Sequence, residues 1–63
     1  MTEYKIQTRK KGRKYETRVT VADNFVRAKL LYGCYNIGRG YAKRLLENGV
    51  VIAKFSDIHE GRY

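Results

Sequence analysis

Residues 9 to 14 read Arg-Lys-Lys-Gly-Arg-Lys, five cations in six positions around one glycine. Side chains of this type at this density hold anions; they make and break no bonds by themselves. Their mutual repulsion is tolerated only in water or against a negative surface. Residues able to support catalysis are sparse. The acids are Glu3, Glu16, Asp23, Glu47, Asp57 and Glu60, with His59 the only histidine and Cys34 the only cysteine. Acid–base chemistry requires a poised pair of groups in a cleft. The one close grouping, Asp57, His59 and Glu60, falls on a terminal tail without rigid support. No Cys-x-x-Cys pair or zinc-ligand spacing is present, and a single cysteine excludes an internal disulfide. Cys34 lies in an apolar stripe and reads as a small core residue. Gly38-Arg39-Gly40 permits a nest of backbone N–H groups that holds an anion. It lacks the Walker pattern and a preceding strand, so it reads as a kink or a close helix–sheet contact with Arg39 in reach of a phosphate. No catalytic, metal or cofactor site is expected, and the chain reads as non-enzymatic.

The basic run needs a scaffold, and the flanking residues supply one. Tyr4, Ile6 and Thr8 alternate with Lys5, Gln7 and Arg9; Tyr15, Thr17, Val19 and Val21 alternate with Glu16, Arg18 and Thr20. A period of two with Tyr, Ile, Thr and Val marks half-buried strands. Gly12 suits a tight connection between them. The run is therefore the tip of a β-hairpin whose solvent face carries Lys5, Arg9 and Arg18, with Glu16 as counter-charge. Asp23 or Asn24 then suits a helix N-cap. Val26, Leu30, Cys34, Ile37, Tyr41 and Leu45 follow at spacings of three and four, widened by Leu31, Ala42 and Leu46, as in an amphipathic helix. The pattern predicts a helix from about 24 to 36, a break at Asn36 to Gly40, and a second helical segment over 41–48 ending at Asn48-Gly49. The competing reading makes 43–47 a strand and Asn48-Gly49 a hairpin turn; the helical spacing of Tyr41, Ala42, Leu45 and Leu46 favours the helix. Val50 to Phe55 is β-branched, apolar and short, a third strand with Val51, Ala53 and Phe55 on one side and Val50 and Ile52 on the other. A strand apolar on both sides belongs mid-sheet or under cover. The expected fold is α+β: one domain over 1–63, a three-stranded antiparallel sheet in ββαβ order, one kinked helix on one face, and a partly mobile tail over 56–63.

Sixty-three residues with 14 Lys and Arg against 6 Asp and Glu carry a formal charge of +8. A chain this small buries only about 60% of its unfolded surface, so self-association is one route to stability, with a homodimer its simplest form. The leftover apolar residues Val50, Ile52 and Phe55 are the expected interface. The start lacks an apolar signal region and no run reaches membrane-spanning length; a cytoplasmic, intracellular protein without membrane contact is expected. The charge points to nucleic acid, RNA or DNA, or to an acidic protein surface. The expected contact residues are Lys5, Arg9, Lys10, Lys11, Arg13, Lys14, Arg18, Arg39, Lys43 and Arg44, neutralising phosphates. Tyrosines outside the core, from among Tyr4, Tyr15, Tyr32, Tyr35, Tyr41 and Tyr63, are candidates to stack on bases. The alternative is a docking protein of another class. In size and element order the chain is similar to phage-encoded inhibitors of host defence and to antitoxins, an analogy carried by no motif. It would dock on a host protein or protein–nucleic-acid complex, with Val50, Ile52 and Phe55 as anchors.

Overall fold

The computed structural model describes residues 1 to 58. The elements are β1 (Glu3–Lys10), β2 (Glu16–Ala22), α1 (Phe25–Cys34), β3 (Tyr41–Glu47) and β4 (Val50–Ser56). They form one α+β unit: a four-stranded antiparallel sheet in the order β2-β1-β3-β4, with α1 across one face. The expectations of three strands and of a kinked helix are both corrected. Residues 41 to 47 are a strand, and they lie beside β1 at the centre of the sheet. A central strand is apolar on both faces, so it does not alternate. In β3, Leu45 is buried on the helix side while Ala42 and Leu46 are buried on the opposite side. That pattern imitates helical spacing. Asn48 and Gly49 close the β3–β4 hairpin with φ of 48° and 85°. Two successive positive φ values match the twist of the flanking strands.

The helix starts at Asn24, whose Oδ1 accepts from the Arg27 N–H at 2.9 Å. It stops at Cys34. Its buried side carries Ala28, fully buried, with Leu31, Tyr32 and Tyr35 packed against Tyr4, Ile6, Val21 and Leu45. The stripe expected to face the core, Val26, Leu30 and Cys34, is turned outward and exposed. A small alanine lets the helix approach the sheet closely, and the two tyrosine rings supply more area than that stripe would.

Two irregularities decide which side chains share a face. Residues directly opposite on antiparallel strands project from the same side of a sheet. A bulge sets Val19 opposite Ile6 but Thr17 opposite Gln7, leaving Arg18 extra. A second sets Val51 opposite Leu46 but Ala53 opposite Leu45, leaving Ile52 extra. Thr17 therefore parts from Val19 and Val21, and Val51 parts from Ala53 and Phe55, contrary to simple alternation. β4 lies at the sheet edge, not its middle, with Val50, Val51, Ile52 and Phe55 exposed. Beyond it, the Asp57 N–H donates to the Tyr41 carbonyl at 2.8 Å. The rest of the expected tail, His59 to Tyr63, lies outside the described residues, and with it most of the Asp57–His59–Glu60 grouping.

Candidate nucleic-acid interface

The helix covers one face of the sheet and leaves the other open. On the open face β1 places Lys5, Gln7 and Arg9, and β3 places Ala42, Arg44 and Leu46 opposite them. β4 adds Lys54, directly across from Arg44, and Val51. Ala42 and Leu46 form a buried floor beneath the long stems of the cations, whose heads reach solvent.

Tyr15, just before β2, joins this face. The Arg44 guanidinium carbon lies 3.8 Å from the centroid of its ring, and that of Arg9 lies at 5.5 Å. The Arg44 Nε donates to Gln7 Oε1 at 2.8 Å, and Gln7 Nε2 donates to Thr17 Oγ1 at 3.1 Å. Thr17, Gln7, Arg44, Tyr15 and Arg9 thus form one cross-strand array. Arg44 and Lys54 are like charges placed face to face, an arrangement that destabilises a sheet. Neither meets a carboxylate among the described residues.

The hairpin tip carries the second group. Gly12 adopts a φ of 81° there, and the Arg13 N–H donates to the Lys10 carbonyl at 2.9 Å. The Lys11 N–H donates to the Gly40 carbonyl at 3.0 Å, which ties the tip to the loop bearing Arg39. Gly38-Arg39-Gly40 is part of the connection from α1 to β3, not a break inside a helix. A hollow of about 500 Å³ opens here between Thr8, Lys10, Arg13, Lys14, Arg18 and Tyr41. Lys10, Arg13, Lys14 and Arg39 are exposed and meet no carboxylate among the described residues.

Lys5, Arg18 and Lys43 depart from the expected role of free contact residues. Lys5 pairs with Glu3 at 3.3 Å and Arg18 with Glu16 at 3.1 Å, both in exposed settings, where such pairs contribute little. Arg18 also donates from Nε to Thr8 Oγ1 at 3.0 Å. The bulge turns it to the helix side, so it does not share a face with Lys5 and Arg9 as alternation predicts. Lys43 is the larger correction. It is buried, and its Nζ donates to the carbonyls of Tyr32 and Tyr35 at 2.7 and 3.0 Å, with the Tyr32 ring centroid at 4.6 Å. The ammonium gives the Tyr35 carbonyl a donor, adds a second donor to the Tyr32 carbonyl, which also accepts from the Tyr35 N–H at 3.2 Å, and meets the negative end of the α1 dipole. It is not available to a partner.

Sequence reasoning passed over Lys54 and did not single out Tyr15. Lys54 was legible as the one charge in an apolar strand. Tyr15 was not, because the bulge that moves it leaves no residue signature.

The remaining titratable groups of note are structural. Burial, reinforced by the Glu47 carboxylate that accepts from its hydroxyl at 3.3 Å, raises the Tyr4 phenol above its usual 10.0. Burial likewise raises the Tyr32 phenol, whose hydroxyl has no hydrogen-bond partner. Among the described residues no His, Cys, Asp and Glu side chains cluster as metal ligands, and no helix is long and apolar enough to cross a membrane. Compared with known protein families, curated proteins and solved structures, the chain matches none.

Proposed function

We propose that this chain is a small non-catalytic protein that binds nucleic acid through the basic hairpin end and the adjoining open face. The reading rests on one observation. Cations of the tip, Lys10, Arg13, Lys14 and Arg39, run through Arg9 into the Arg44–Lys54 pair, and none of these meets a carboxylate among the described residues. A continuous field of this sign attracts a polyanion and gains affinity by releasing its counterions. An intracellular setting goes with that partner. The test is a mobility shift followed across salt concentrations. Binding should weaken steeply with salt, and changing Lys10, Lys11 and Arg13 to alanine should flatten the slope by about 0.7–0.9 for each phosphate no longer neutralised. Absence of any shift at low salt would remove the reading.

A second reading is carried by β4. Native sheets blunt their edges with charges, prolines or bulges. The β2 edge has a bulge and the Glu16–Arg18 pair. β4 also has a bulge, at Ile52, but only a single charge, Lys54, and four exposed large apolar residues, Val50, Val51, Ile52 and Phe55. The occupant best suited to it is a second copy, pairing β4 to β4. Two strands with one cation each meet with little repulsion, and antiparallel pairing about an axis normal to the sheet would join the two open faces. Sedimentation across a concentration range tests this, with Ile52→Lys as the disrupting variant. A strict monomer overturns the homodimer. Capture instead of a host protein by this edge would favour the inhibitor or antitoxin class.

A further inference from the structure

We infer that the open face takes single-stranded nucleic acid and stacks a base on the Tyr15–Arg44 pair. This rests on the nucleic-acid reading above and names the form of the ligand.

Phosphate contacts alone do not distinguish a single strand from a duplex. A stacking surface does. In a duplex the π-faces of the bases are already stacked and unreachable, whereas unpaired bases stack on aromatic rings and on guanidinium planes. Arg44 and Tyr15 meet at 3.8 Å, stacking distance, and present both kinds of plane. The guanidinium is oriented before any ligand arrives, because its Nε is held by Gln7, which is held in turn by Thr17. Such fixing reduces the ordering cost of binding. Around this stack the same face supplies Arg9, Lys5 and Lys54 for phosphates on either side. Exposed Val51, beside the buried Ala42 and Leu46, offers apolar surface to a neighbouring base. The four strands span about 14 Å between the outermost two, at roughly 4.8 Å per step, with no helix or strand of the described residues standing in front. A flexible strand can lie across such a surface. A duplex is read by a helix or ribbon that projects into a groove, and no helix or ribbon among the described residues stands out from this face.

The experiment uses the full chain and three probes: oligothymidine and oligouridine strands of about 10 nucleotides, within the range of single-strand sites, and a duplex of matched charge. Fluorescence anisotropy is followed across salt. The single strands should bind more tightly than the duplex, with either sugar, since the stack reads base planes. Tyr15→Leu should weaken single-strand binding at least about fivefold, leaving the salt slope and duplex affinity unchanged. Tyr15→Phe keeps the ring and should bind as the parent does. Arg44→Lys keeps the charge but loses the plane, so affinity should fall at constant slope. Circular dichroism of each variant confirms folding, and the Phe and Lys variants carry the test if Leu disturbs it. Equal binding of duplex and single strand, or full affinity in Tyr15→Leu and Arg44→Lys, overturns the inference while the broader reading stands. Failure of all three probes to bind at low salt overturns both.

Discussion

Lys43 and Arg44 are neighbours on one strand, carry the same charge, and point to opposite faces of the sheet. Lys43 is enclosed beneath the end of α1, its ammonium donating to two carbonyls and lying over a tyrosine ring. Arg44 lies half-exposed on the open face, resting on Tyr15 and opposed by another cation. One charge is consumed in holding helix to sheet; the other is left facing solvent. The difference shows that the charge excess of +8 is not a single pool. A side chain's place on the pleat decides whether its charge is used by the fold or stays at the surface.

Exchanging these residues should separate the two roles. Lys43→Ala removes two charge-assisted hydrogen bonds and takes the ammonium donor from the Tyr35 carbonyl, while the Tyr32 carbonyl keeps the Tyr35 N–H, at a cost of about 1–3 kcal/mol; thermal or urea unfolding should show a greater loss of stability than for any other single substitution proposed for this chain. Arg44→Ala should move stability by no more than about 0.5 kcal/mol, yet reduce nucleic-acid affinity and the salt slope in a titration. If Lys43→Ala is harmless to stability, or Arg44→Ala is as damaging as Lys43→Ala, the contrast is wrong.

Smaller effects sharpen the picture of the closed face. The Tyr32 hydroxyl is buried without a partner, so Tyr32→Phe should stabilise the chain by about 1 kcal/mol, raising the melting midpoint by roughly 4–8 °C. High pH probes the same region. Tyr4 and Tyr32 hold their protons in the folded state beyond the usual 10.0. Their contribution is therefore complete below about pH 10 and is lost as pH rises from there through the higher folded values. Alkaline denaturation curves of Tyr4→Phe and Tyr32→Phe should fall less steeply than the parent's.

The sequence showed the first hairpin and narrowed the N-cap to Asp23 or Asn24, because each depends on local chemistry: alternation and a capping side chain. Asn48-Gly49 was legible as a chain reversal tolerant of positive φ, but the favoured reading made it a helix C-cap and the hairpin turn the lesser alternative. The sequence concealed β3, because Tyr41, Ala42, Leu45 and Leu46 bury residues on both sides of a central strand and so mimic a helix. The basic tip was legible as a run of charge. The array around Tyr15 was not, since it depends on the extra residue Arg18 in β2, and a bulge is set by pairing between strands. Lys43 was misjudged for a related reason: nothing near it in sequence reveals the carbonyls it meets.

The strand order has a consequence for how the molecule assembles. Each hairpin forms from neighbouring residues, but the β1–β3 pairing that joins them brings Tyr4 to Glu47, 43 positions away. Closing so distant a contact costs chain entropy before any packing repays it, so this join should come late and set the folding rate. The two halves meet along the β1–β3 line, with Lys43 and Leu45 of β3 also packed against α1 and the shared core. A chain cut in the connection between α1 and β3 should give two pieces that find each other again when mixed.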